Sequence, residues 1–195
     1  KSINYIIGPT WTSAGLAIAP IATKNKNLLM MSPSLGVREF NEYGENLFNL
    51  WPHDDVATTK LAHYAIRQGW KTAAIFSSQQ PWEKTQGNAF EKEFQRIGGK
   101  ITIKIETLPN ANDLRSEALK VVNSNPNVIF FANYERMHLA AKEVQKLGYH
   151  GNKMAPMLDE TRIKNAQGAL ENTITIDYPE ASQEFTNKYI HKYKK

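Results

Sequence analysis

From residue 53 onward the chain repeats one unit: an amphipathic helical stretch, a glycine, an apolar strand and a polar loop. Strands that alternate with helices in this way lie parallel, with each helix crossing back over the sheet. The pattern therefore restricts the fold to the α/β class with a doubly wound parallel sheet. The spacing predicts a helix over 56–68 that stops at Gly69, where a left-handed C-cap fits, and then a strand over 72–76. A second helix, 82–97, carries Phe90, Phe94 and Ile97 on one face and stops at Gly98-Gly99. The strand over 101–105 alternates apolar and polar residues, as a strand with one exposed side does. A third helix, 113–123, presents Leu114, Ala118 and Val121, and Asn125-Pro126-Asn127 turns the chain. The strand over 128–132 is apolar throughout, which places it centrally in the sheet. A fourth helix, 135–147, short strands over 153–157 and 173–176, and a tail helix over 182–193 complete the pattern.

The N-terminal part opens with a strand over 4–7, a Gly8-Pro9 turn, and a helix over 14–22. Pro20 falls inside that helix and is expected to kink or shorten it. Thr12 and Ser13 stand at the helix mouth, where free N–H groups and a partial positive charge favour a small anion. Trp11 beside them suggests a guest with an organic body. Ligands of open α/β sheets bind at the C-terminal ends of strands, so each loop there is a candidate surface. These loops hold Trp11, Thr12 and Ser13, then Ser34 and Leu35, then Trp82, Tyr134 and Asp159. They are rich in hydroxyls, amides and aromatics and poor in catalytic pairs.

At 195 residues, 41% of them hydrophobic, the chain is long enough to bury a sizeable core. It has no cysteine, which excludes disulfides, thiolate zinc sites and cysteine nucleophiles. The net charge of +5 is scattered, with its one dense cluster at 188–195, and aromatics do not interleave with it. Nucleic acid is therefore not an expected partner. No run is long enough to span a bilayer and no signal peptide is visible. No nucleotide-binding glycine motif, phosphate loop or nucleophile elbow is present, and no hydroxyl–His–acid set can be assembled from loop positions, so the expectation is not an enzyme.

The ordered set Ile6-Ile7-Gly8-Pro9, Ser13-Ala14-Gly15-Leu16-Ala17-Ile18-Ala19-Pro20-Ile21-Ala22, Met31-Ser32-Pro33-Ser34, Leu50-Trp51-Pro52, Phe90-Glu91-Lys92-Glu93-Phe94 and Asn125-Pro126 resembles a known family. It is similar to the type I periplasmic, or extracellular, solute-binding proteins of branched-chain amino acid ABC transporters, the leucine/isoleucine/valine-binding-protein group. The resemblance implies a two-lobed fold, each lobe a doubly wound parallel sheet. Residues 1–52 would form part of the first lobe, 53–177 the second, and 178–195 a return toward the first. The first lobe is then incomplete and the chain reads as a fragment. The resemblance also implies a small-molecule solute between the lobes (an amino acid or organic carboxylate), a membrane permease as partner, no cofactor and no metal, a monomer, and a periplasmic or extracellular location with an optional lipid anchor. A ligand-sensing domain of a receptor or signalling protein with the same fold is the alternative.

Residue by residue, the resemblance puts the solute's carboxylate at Thr12 or Ser13 and its amino acid head at Ser34 and Leu35. Trp82 matches an aromatic of the second lobe, and Tyr134 matches a tyrosine. Gly36 stands where the family has a threonine, and Met157-Leu158 where amino-acid binders place an acid, leaving Asp159 to reach from a shifted position. Each residue also has a plainer reading: Thr12, Ser13 and Asp159 as helix N-caps, Trp11 and Trp82 as packing at loop ends, Tyr134 as the start of its helix. His53-Asp54-Asp55 looks superficially like a metal site but precedes a helix, where acids suit the dipole.

Overall fold

The computed structural model describes residues 3–194. Two parallel sheets organise them. The first is built from β1 (Tyr5–Ile7), β2 (Leu29–Ser32) and β3 (Leu47–Asn49) in that order, with α1 (Thr12–Ala22) and the single turn α2 (Glu39–Glu42) between them. Its core is small: Ala19, Ala22, Met30, Leu35, Phe40 and Leu47. Pro20 does not end α1, which runs on to Ala22. It sits on the exposed side, and Ala19 and Ala22 beside it remain buried.

The second sheet has the strand order β5-β4-β6-β7-β8. Its strands are β4 (Thr72–Ser78), β5 (Lys100–Thr107), β6 (Val128–Phe131), β7 (Asn152–Ala155) and β8 (Thr173–Thr175). The helices are α3 (Asp54–Arg67), α4 (Pro81–Arg96), α5 (Arg115–Asn123), α6 (Met137–Lys146) and α7 (Glu160–Ala166). The period-2 alternation of a strand sorts β4 and β6 between two cores. Ala74, Phe76, Ile129 and Phe131 face one that includes α5 and α6 residues, and Ala73, Ile75, Val128 and Phe130 face one with α3 and α4 residues. Phe130 stacks on Phe90 at 4.1 Å between ring centres. All of β6 is buried, as its unbroken apolar run predicts. The edge strand β5 departs from expectation, since Ile101 to Glu106 are all partly covered rather than alternating. Pairing on one side only leaves both of its faces at the margin of the helix layers.

Gly69, Gly98 and Gly148 each stop a helix with φ between 79° and 93°, a conformation that costs glycine nothing. α8 (Gln183–Tyr193) begins at Ser182, whose hydroxyl accepts from the Phe185 N–H, and it buries none of its own residues. Among the described residues no helix is long and apolar enough to cross a membrane.

Candidate functional site

The C-terminal ends of both sheets face one cleft of about 340 Å³. That is near the lower end of the roughly 300–1,000 Å³ range of small-molecule sites. The first sheet contributes the loop after β1 (Thr10, Trp11, Thr12), the loop after β2 (Ser34) and the segment after β3 (Trp51). The second contributes Asp54 at the start of α3, Gln80, Trp82 and Glu83 from the β4–α4 turn, Tyr134 and Glu135 after β6, and Met157 after β7. The β4 and β6 loops flank the point where the strand order reverses, the position where open α/β sheets hold ligands. Trp82 and Tyr134 meet there edge to face, 6.0 Å apart and inclined at 74°.

Each wall is fixed by local bonds. In the first, the Ser32 hydroxyl donates to the Pro9 carbonyl at 2.8 Å and accepts from the N–H groups of Ser34 and Leu35, so the two loops are tied together. α1 is preceded by Trp11 with no side chain capping it. Its first N–H groups are therefore not satisfied by a Thr12 or Ser13 hydroxyl, and Thr12 is buried at the cleft. In the second wall, Gln80 caps α4 by accepting from the Glu83 N–H at 3.1 Å, and Pro81 takes the first helical position. Glu83 is buried, and burial raises its carboxyl above the ordinary glutamate range. It accepts from the Ser78 hydroxyl and, at 2.8 Å, from the Glu135 N–H. Behind Tyr134, the Arg162 guanidinium stacks on the ring at 3.9 Å from its centre and pairs with Asp159 and Glu135. Burial and the bond to Asp159 push the Tyr134 phenol up to about 12.

The floor is organised by Asp54. Its Oδ1 accepts from Trp51 Nε1 at 2.9 Å and from the Tyr178 hydroxyl at 2.7 Å, and its Oδ2 accepts from Trp82 Nε1 at 2.7 Å. Its backbone N–H donates to the Gly36 carbonyl at 3.0 Å. Tyr178 also packs edge-on against Trp51, with centres 4.9 Å apart. One carboxylate thus ties the segment leaving β3, the segment leaving β8, and the aromatic wall of α4. Gly36 makes room for it: a Cβ there would lie 1.7 Å from Asp54 Oδ2. Next to it, Asp55 pairs with Arg38 at 3.0 Å. The two acids of the His53-Asp54-Asp55 run are thus engaged with indoles, a phenol and a guanidinium.

Of the residues singled out in the sequence, Trp11, Thr12, Ser34, Trp82 and Tyr134 line the cleft. Ser13 is exposed on α1 and is not among the lining residues. The Leu35 side chain is fully buried in the first core, where a Cβ on Gly15 would come within 2.5 Å of it, its backbone is bonded to Ser32 and Asn49, and it does not line the cleft. Asp159 caps α7 through the Arg162 N–H at 2.9 Å and binds the Tyr134 hydroxyl, so it stands behind the aromatic wall rather than in the cleft. Sequence reasoning did not single out Trp51, Asp54, Gln80, Glu83 or Glu135 as site residues. The one local hint for Asp54 was Trp51 three positions before it, whose N–H needs a partner when covered; its other partners, Trp82 and Tyr178, are remote in sequence.

The molecule is thus a two-sheet α/β fold with an aromatic and polar cleft at its strand ends. The periplasmic binding protein family matches the chain over residues 1–195, and the chain belongs to that family. Solved structures agree on the fold. It is similar to a leucine-binding protein, LivK, from Thermotoga maritima (TM-score 0.85, 21% identity, 99% of this chain and 58% of that one). It is also similar to a putative branched-chain amino acid ABC transporter protein from Rhodospirillum rubrum (TM-score 0.73, 18% identity, 97% and 57%). A third is a solute-binding protein from Rhodopseudomonas palustris HaA2 in complex with p-hydroxybenzoic acid (TM-score 0.72, 20% identity, 86% and 47%). The chain therefore spans well under two thirds of the length of these proteins. No curated protein sequence matches it.

Proposed function

We propose that this chain is the solute-binding part of an ABC transporter and holds a small amino acid or related organic carboxylate, without catalysis, in the cleft between its two sheets. The observation that carries the reading is the convergence of loops from both sheets on one cleft whose walls are aromatic and whose first-sheet side is a helix N-terminus. In this reading residues 1–52 are part of one lobe, 53–177 the other, and 178–195 turn back toward the first. The segments joining the sheets act as the hinge, and closure excludes water from the solute. A carboxylate sits against the first turn of α1, beside Thr12 and Ser34, where N–H groups and the helix dipole stabilise it. Trp11, Trp82 and Tyr134 cover the organic body. The partner is a membrane permease, the location is periplasmic or extracellular, and the working unit is a monomer with no cofactor.

Isothermal titration of the purified chain against a panel of amino acids and aromatic and aliphatic carboxylates tests the reading. Binding in the micromolar range, weakened about tenfold by Thr12→Val, is the expected result. A panel in which no carboxylate binds, or in which Thr12→Val and Trp82→Ala leave affinity untouched, overturns it.

A further inference from the structure

The cleft is rich in ring surface and poor in free acceptors. Three carboxyl groups line it, those of Asp54, Glu83 and Glu135, and each is engaged within the protein. Glu135 pairs with Arg162. Glu83 accepts from the Ser78 hydroxyl and the Glu135 N–H, and its burial favours the neutral form. Asp54 accepts three bonds and stands in the first turn of α3, where the helix dipole offsets its charge. Neighbouring acceptors are spent as well. The Gln80 amide oxygen takes the Glu83 N–H, the Thr10 carbonyl takes the Ser34 hydroxyl, and the Tyr134 carbonyl takes the Arg162 guanidinium. The indoles offer the opposite. An indole has a single polar group, its N–H. Trp51 and Trp82 both spend theirs on Asp54, so all that either ring can show the cleft is carbon. Arg162 covers one face of the Tyr134 ring, which meets Trp82 edge to face. Trp11 stands on the first-sheet wall of the cleft, 56% exposed.

Resting on the solute-binding reading above, we propose that the cleft selects an aromatic carboxylate that lacks an ammonium group, and that Asp54 is a positioning residue which holds the Trp51 and Trp82 indoles by their N–H groups so that they present carbon to the solute's ring. The carboxylate sits at the mouth of α1, where Thr12 is buried and no side chain caps the helix. An aromatic ring suits the remainder, because ring–ring contacts add to plain burial of apolar area. An ammonium does not. It brings three N–H donors, loses its water on entry, and finds the carboxyl and amide oxygens of the cleft already bonded. Asp54 acts through the two indoles and need not touch the solute. Gly36 belongs to the arrangement because it leaves the volume that the Asp54 carboxylate occupies.

The test uses three ligands that share a carboxylate and a three-carbon spine. L-phenylalanine differs from 3-phenylpropanoate only by its ammonium, and 3-cyclohexylpropanoate only by its saturated ring. Titrated into the full chain, 3-phenylpropanoate is expected to bind about tenfold or more tightly than L-phenylalanine. It is expected to bind about threefold or more tightly than 3-cyclohexylpropanoate. Asp54→Asn cannot accept from both indoles as the carboxylate does, so the phenyl-to-cyclohexyl ratio is expected to fall toward one. L-phenylalanine is expected to weaken no more than 3-phenylpropanoate does. Both are ratios measured on one folded sample, so they survive a loss of stability in the variant. Trp82→Leu, which keeps Asp54, is expected to lower the phenyl-to-cyclohexyl ratio as well. L-phenylalanine or 3-cyclohexylpropanoate binding as tightly as 3-phenylpropanoate overturns the selection while leaving the solute-binding reading in place. An Asp54→Asn chain that weakens all three alike, or that loses L-phenylalanine alone, overturns the positioning role. No binding of any of the three overturns the whole inference; the wider carboxylate panel then decides the solute-binding reading separately.

Discussion

The two sheets are built by the same rule and end in opposite states. In the second, β6 lies between β4 and β7 with helices on both faces, and all four of its residues are buried. In the first, β1 is an apolar strand too, yet Tyr5 is 78% and Ile7 86% exposed. Local sequence is alike in the two strands; what differs is the number of layers that cover them. The larger cores lie on the second sheet, while the first sheet is thinly covered. The first sheet is held to the second by polar bonds around Asp54 and Asp55 as much as by packing.

The contrast has measurable edges. The sharpest compares Phe130→Ala with Ile7→Ala in denaturant unfolding. Phe130 is fully buried and stacked on Phe90, so its truncation is expected to cost about 3–5 kcal/mol. Ile7→Ala is expected to stay within about 0.5 kcal/mol. Equal costs would erase the distinction between the sheets. Next comes Gly36→Ala, which places a methyl 1.7 Å from Asp54 Oδ2 and 2.5 Å from its Cγ. The carboxylate has to move and gives up its indole and phenol donors, so a loss of about 1–3 kcal/mol in thermal unfolding is expected, with weaker solute binding. An unchanged melting temperature would mean that Asp54 does not join the sheets. Tyr178→Phe removes one donor and keeps the ring against Trp51, so about 1 kcal/mol is expected from the same measurement.

The smallest effect is one of pH. Burial raises the Glu83 carboxyl, so the folded chain keeps that proton to higher pH than the unfolded chain does. The folded state then binds more protons, and stability from this group falls as pH rises. The contribution is full below the ordinary glutamate value and is lost as pH climbs through the raised one. Glu83→Gln is expected to flatten that part of the stability–pH curve. A slope that persists in the variant assigns it to other groups.

Most elements were legible in the sequence because their signals are local. Gly69, Gly98 and Gly148 stop helices where the apolar periodicity ends, and the Val128–Phe131 run announces a covered strand. β3 and α2 were not foreseen: each is only three or four residues long, and neither carries an apolar run like that of β1. At the site, residues that follow strand ends could be named in advance: Trp11, Thr12, Ser34, Trp82 and Tyr134. Asp54 could not, because its partners Trp82 and Tyr178 lie 28 and 124 positions away and only the fold unites them. Leu35 shows the converse: its loop position suggested the cleft, but the gap left by Gly15 draws the side chain into the core.

The near-contact between Gly36 and Asp54 also bears on how such a chain can change over generations. The two positions form a coupled pair in which the order of substitution matters. A side chain that enters at Gly36 while Asp54 is present displaces the carboxylate from its indole and phenol donors. Once Asp54 has been replaced by something smaller, the vacated volume tolerates, and then comes to favour, a larger neighbour. A larger residue at 36 and an acid at 54 therefore compete for one volume. Moving between them means first passing through a chain whose two aromatic walls and two connecting segments have lost their common anchor.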